Sequence, residues 1–198
     1  MIDQEFGSRP KRNAAASQGH LGGTKLTRRG LLVVLTGDGK GKSTAAWGMA
    51  LRAVGRGRDV RVFQFTKASS ARLGEYRAFA RLGITMDVLG QGFDWDCRSA
   101  KHCEQLAGQS WARARAALQS DEPFMVILDD LLYPLRQGWL VLDEVLQSLH
   151  SRPAHMHVVV TGRNAPQNLL DLADTVTRMG LTKHHYMQGI APQRGIED

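Results

Sequence analysis

The sequence predicts an α/β fold: a mainly parallel sheet with helices on both faces. Three observations carry this. Short apolar runs rich in Val, Ile and Phe alternate with segments of helical period. A glycine-rich loop directly follows the first of those runs. The length of 198 residues and an apolar fraction of 42% suit one domain around one core.

Taken in order, Leu31 to Leu35 (LLVVL) is continuously apolar and reads as a strand buried on both faces. A helix from about Ser43 to Val54 is stopped by Gly55 and Gly57, and Val60 to Phe65 (VRVFQF) makes a second strand. A helix around Glu75 to Leu82 leads to a strand at Ile84 to Leu89. After an aromatic-containing loop come a helix from about Lys101 to Leu118 and the strand Phe124 to Leu128 (FMVIL). Val141 to Leu149 is helical, His157 to Thr161 is a strand, Gln167 to Ala173 is helical, and a last short strand includes Val176 to Met179. Strands separated by helices imply right-handed crossovers, and ligands then sit beyond the carboxyl ends of the strands. There are no internal repeats, so the expected division is a flexible basic arm over residues 1–29 and a single domain over 30–198.

The formal charge is +7, and the arm supplies more than half of it through Arg9, Lys11, Arg12, Lys25, Arg28 and Arg29 against Asp3 and Glu5. Elsewhere the basic residues are dispersed and lack interleaved aromatics, which favours small polyanions and predicts no nucleic-acid partner. No run of about 18 apolar residues and no export leader is found, so a cytoplasmic protein that spans no membrane is expected. Cys97 and Cys103 lack C-x2-C spacing and are expected to be two free thiols.

After the first strand the chain reads Thr36-Gly37-Asp38-Gly39-Lys40-Gly41-Lys42-Ser43-Thr44 and enters a helix. Glycines let successive N–H groups turn inward, Lys42 adds a positive charge, the helix N-terminus favours phosphate, and Ser43 offers a hydroxyl to Mg²⁺. This makes the fold P-loop NTPase-like. One feature departs from the usual loop, because Gly37 and Gly41 enclose three residues rather than four, so ordinary γ-phosphoryl transfer does not follow from the loop alone. Asp129 and Asp130, following the FMVIL run, supply the carboxylates expected to hold the ion or its water.

The segments TGDGKGKSTAAWGMALRAVGRGRDVRVFQFTK, GQGFDWD, VILDDLLY, VVVTGR and LLDLADTVTRM together resemble the P-loop family of ATP:corrinoid adenosyltransferases, over about residues 30 to 196. The resemblance implies an enzyme that transfers the 5′-deoxyadenosyl group of ATP to the cobalt(I) of a corrinoid and releases triphosphate, with Mg²⁺ or Mn²⁺. It implies Lys42 as a catalytic residue that stabilises the leaving group together with the N–H groups of Gly39 to Ser43. It also gives Phe93 and Trp95 the task of excluding an axial ligand from cobalt so that reduction is feasible; the plain alternative is two aromatics packed under a loop. ATP would be held by Gly37, Asp38, Gly39, Lys40, Gly41, Lys42, Ser43, Thr44 and Arg163, and the metal by Ser43, Asp130 and Asp129. A flavodoxin-like reductase and a homodimer are the implied partners, with the basic arm folding over a corrinoid site. Lys183, His184 and His185 are further candidates for ligand contact, with solvated surface charge as the alternative. Where the family has Asp-Glu this chain has Asp129-Asp130, and Asp38 stands where Asn is common. The rival functions are an impaired ATP- or corrinoid-binding protein and a small-molecule kinase or NTPase.

Overall fold

The computed structural model describes residues 20–21, 24–25, 27–68, 74–90 and 99–197. Two short strands, β1 (His20–Leu21) and β2 (Thr24–Lys25), form an antiparallel ladder that the reading of the arm did not foresee. The remaining strands are β3 (Leu32–Thr36), β4 (Val60–Ala68), β5 (Thr85–Gly90), β6 (Met125–Asp129), β7 (His157–Thr161) and β8 (Thr175–Arg178). They form one sheet in the order β5-β4-β6-β7-β3-β8, with every pairing parallel. The helices are α1 (Lys42–Val54), α2 (Gly74–Arg81), α3 (Ala100–Gln119), α4 (Leu132–Arg136), α5 (Leu142–His150) and α6 (Gln167–Leu172). The expected elements are present within a few residues. The short α4, with Pro134 inside it, and a 3-10 turn at His185–Gln188 are additions.

Period-two alternation explains how one sheet makes two cores. Val33 and Leu35 point to the face where Ala46, Ala50 and Ala53 of α1 and Phe79 of α2 pack, and Trp47 meets Phe79 edge-on with ring centroids 5.1 Å apart. Leu32 and Val34 point to the opposite face, against Trp111, Ala114 and Leu118 of α3, Val145 and Leu149 of α5, and Leu169 of α6. From β3 the chain steps across the sheet to β4 and β5, then returns through β6 and β7 to β8. Reversing direction under a right-handed crossover rule moves the connecting helices to the other face, as observed. The order also seats β6, β7 and β3 side by side, so the residues at their carboxyl ends converge.

The expectation of free thiols fails at Cys103, which is buried on α3 and disulfide-bonded. The sequence holds one other cysteine, Cys97, which lies outside the described residues. Among the described residues no helix is long and apolar enough to cross a membrane.

Candidate active site

The phosphate loop leaves β3 at Thr36 and closes at Gly41, the residue preceding α1. Gly37 and Gly41 have φ of 99° and 107°, a region that side chains rarely enter. The loop rests on the exit of β8: the Met179 N–H donates to Thr36 O at 2.8 Å and the Gly39 N–H donates to Met179 O at 2.9 Å. A Cβ on Gly37 would collide with the Met179 carbonyl oxygen, and one on Gly39 with that of Gly180. The Gly39 N–H is therefore engaged by β8, which corrects the expectation that it faces phosphate. Among the described residues no acceptor is hydrogen-bonded to the backbone N–H groups of Lys40, Gly41, Lys42, Ser43 or Thr44; the helix ladder begins with Ala45 N–H to Gly41 O at 2.8 Å. A helix N-terminus with open donors and no acidic residue in its first turn is suited to an anion. Lys42 Nζ folds back over the loop and donates to Gly37 O at 2.8 Å and Gly39 O at 2.7 Å. Burial lowers its pKa, the positive charge of Arg163 lowers it further, and Asp130 and Asp38 act in the opposite sense.

At the neighbouring strand ends lies a polar network. Thr161 Oγ1, fully buried on β7, donates to Asp129 Oδ1 at 2.7 Å and accepts the Asp130 N–H at 2.9 Å. Thr66 Oγ1 on β4 donates to Asp130 Oδ2 at 3.0 Å and accepts from Gln64 Nε2 at 3.2 Å, while Gln64 Oε1 accepts the Lys67 N–H at 2.6 Å. Asp130 needs a φ of 55° to leave β6 in this direction. Asp129 has no exposed surface, and its pKa is pushed up to about 6 by burial and by the charge of Asp130, with Thr161 and Ser43 pulling the other way. Its second oxygen, Oδ2, is buried with no hydrogen-bond partner. A bare oxygen on a carboxylate that also interacts with Ser43 is a ready ligand for a hard cation.

The model of the family described as ATP:corrinoid adenosyltransferase BtuR/CobO/CobP matches residues 28–197. The chain belongs to that family. This makes it an adenosyltransferase, an enzyme with ATP and a corrinoid as substrates. A corrinoid adenosyltransferase of Pseudomonas aeruginosa is 42% identical over 171 residues, covering 85% of this chain and 84% of its own. One of Escherichia coli K12 is 38% identical over 169 residues, covering 85% of this chain and 86% of its own. Corrinoid adenosyltransferase CobA of Salmonella typhimurium has the same identity over the same length.

In the adenosyltransferase, the loop residues Gly37 to Thr44, Asp129 and Asp130 come together at the ends of β3 and β6. Arg163, exposed after β7, is near enough for its charge to act on Lys42. Asp38 is exposed, and Lys40 turns away to pair with Glu197. Lys183 is exposed, whereas His184 and His185 are half-buried. Phe93 and Trp95 lie outside the described residues. Sequence reasoning missed Gln64, Thr66, Thr161 and Glu197 as parts of the constellation. The available signal was polarity inside strand patterns, since Gln64 and Thr66 take the alternate positions that Val60 and Val62 begin.

Proposed function

We propose that the adenosyltransferase joins C5′ of ATP to the cobalt(I) centre of a corrinoid in the synthesis or salvage of adenosylcobalamin. The cobalt electron pair forms the new bond, the C5′–O bond breaks, and its electrons leave on triphosphate. No phosphoryl bond is cleaved, so a side-chain base is not required. The observation that supports this reading is the row of unpartnered N–H groups from Lys40 to Thr44, converging with Lys42 at one end of the sheet. These preorganised donors meet the charge that grows on the leaving group without having to reorganise. On binding, the triphosphate would replace the Gly37 and Gly39 carbonyls as the partner of Lys42. Gly37, Asp38, Gly39 and Gly41 shape the loop, and Arg163 adds charge at its rim.

Asp129 and Ser43, with Asp130 beside them, would hold Mg²⁺ or Mn²⁺, a reading supported by the bare Asp129 Oδ2. Such an ion, when bound, neutralises phosphate charge and fixes the triphosphate. Asp130, held by Thr66 and by the bond of its own N–H to Thr161, lies one methylene short of the family's glutamate and would act on the ion through an intervening water. Phe93 and Trp95 are assigned to excluding the axial cobalt ligand. Residues 30–198 form the catalytic domain and 1–29 an arm that covers the corrinoid of a homodimer partner. A flavodoxin-like reductase supplies the electron, and the setting is cytoplasmic. The test is product analysis under anaerobic conditions with ATP, Mg²⁺ and chemically reduced cobalamin. Adenosylcobalamin with an equal amount of triphosphate is expected; ADP would identify a kinase or NTPase, and binding without product an impaired relative.

A further inference from the structure

Beyond the phosphate loop, the segment after β8 brings three metal-ligating side chains together. His184, His185 and Glu197 each offer a donor atom, and these atoms lie within 4.8 Å of one another. The two imidazole rings are stacked at a tilt with centroids 4.6 Å apart. His185 Nε2 is buried and stands 2.8 Å from Glu197 Oε2, whose carboxyl it helps to hold below its usual range behind the larger effect of Lys40. His184 Nδ1 accepts the Tyr186 N–H at 3.1 Å, a single turn bond that ligation through that nitrogen would replace. Lys40 of the phosphate loop is paired with the other carboxylate oxygen of Glu197.

We propose that His184, His185 and Glu197 form a site for one divalent transition ion of the Zn²⁺ or Co²⁺ class, which fastens the segment after β8 to the phosphate loop. The donor set selects the class. Two imidazoles and one carboxylate suit borderline ions, whereas Mg²⁺ and Ca²⁺ prefer oxygen donors throughout. Ligand bonds of about 2.0–2.2 Å to a shared ion place donors up to roughly 4 Å apart, so the three need only a small closing movement of side chains at a half-exposed surface. Three protein ligands leave a further position for water. The site is separate from the Asp129 and Ser43 pair. Its ion would leave Glu197 shared between metal and Lys40, coupling occupancy of the tail to the position of Lys40.

The experiment is a titration of the untagged full chain with Co²⁺, without ATP or corrinoid, followed by visible absorption and calorimetry. One equivalent is expected to produce the intense d–d bands of nitrogen-ligated cobalt of low coordination number. Zn²⁺ should displace it, and a large excess of Mg²⁺ should not. His185→Ala and Glu197→Gln should each weaken binding at least about tenfold, the lower bound expected when even an outer-shell partner of a metal is lost. Circular dichroism checks that each variant is folded, and His184→Ala serves in place of either that is not. Absence of the bands at saturating Co²⁺, or their survival in the folded variants, would overturn the site.

Discussion

The two ends of β3 are built on opposite plans. At its start every polar group is matched: Asp174 Oδ2 accepts the Leu32 N–H at 2.8 Å and an Arg29 Nη1–H at 3.0 Å, with Arg152 Nη2 at 3.9 Å. Gly30 N–H donates to Ala154 O at 2.7 Å and Leu31 N–H to His157 Nδ1 at 3.2 Å. At its finish five successive N–H groups have no partner among the described residues, a lysine is folded onto carbonyls it can release, and a buried carboxylate oxygen is bare there too. The open loop lies at or near the surface, where water can meet its N–H groups, so the cost of about 1–3 kcal/mol for an unpaired buried polar group falls on the Asp129 oxygen, next to a strand that is itself fully packed. Unpaired polarity confined to one end of an otherwise satisfied strand marks where a ligand completes the protein.

The largest expected effect tests the wall on which the open end rests. Gly37→Ala must place a Cβ against the Met179 carbonyl at a φ of 99°, combining collision with left-handed strain. Overpacking and strain each cost about 1–3 kcal/mol, so a loss of about 2–6 kcal/mol in urea unfolding is expected, together with loss of ATP binding. Gly48→Ala on α1 meets nothing within 4 Å and should be neutral or gain about 0.4–1 kcal/mol. Equal behaviour of the two variants would show that the loop does not rest on β8.

Much of this contrast was legible beforehand, and the reasons for the gaps are physical. LLVVL followed by a glycine-rich loop and a helix announces the open end, because that chemistry is local: glycines, a lysine and a helix start in one stretch. The closed end depends on Asp174, more than a hundred residues away, and no spacing rule links it to Leu32. The same holds for Thr161 and Thr66, which reach the two aspartates through sheet order rather than sequence proximity. Gly39 misled for another reason. Its glycine character was read as freedom to face a phosphate, whereas close approach to the Gly180 carbonyl demands it.

Asp174 and Lys42 give the next two tests, expected to separate stability from binding. Burial works against the Asp174 charge, but the Arg29 guanidinium, the Leu32 N–H and Arg152 outweigh it, and its pKa lies below the usual carboxylate range. With Arg29 partly in solvent, Asp174→Asn should cost about 1–2 kcal/mol at pH 7 without changing ATP affinity. A folded pKa below the unfolded one means this stabilisation is present above about pH 4 and is lost as pH falls through the folded value. The gap between wild type and variant should therefore close in acid, and a gap constant down to pH 2 would deny the ion-pair account. Lys42→Ala should do the reverse, weakening ATP binding by about 1.5–3 kcal/mol in calorimetry with little change in unfolding. Unchanged affinity would remove Lys42 from the phosphate site.

The smallest effect concerns Asp38, the one acidic residue in the open loop. It is exposed, and its charge acts on Lys42 in the sense that favours the ammonium. In the free protein that is a mild support. When triphosphate arrives the sign changes, because the ligand brings far more negative charge to the lysine and Asp38 is left repelling it. Asp38→Asn removes the repulsion while keeping the shape of the side chain, so ATP should bind more tightly by about 0.2–1 kcal/mol, the scale of an exposed charge pair. An effect of this origin must fade with salt, since screening shortens from about 10 Å at 0.1 M to about 3 Å at 1 M ionic strength. Calorimetry at both salt concentrations decides between two roles. A gain that disappears at high salt identifies Asp38 as a charge placed against the phosphates; a loss of affinity that persists at both would mean that its carboxylate makes a contact the bound nucleotide requires.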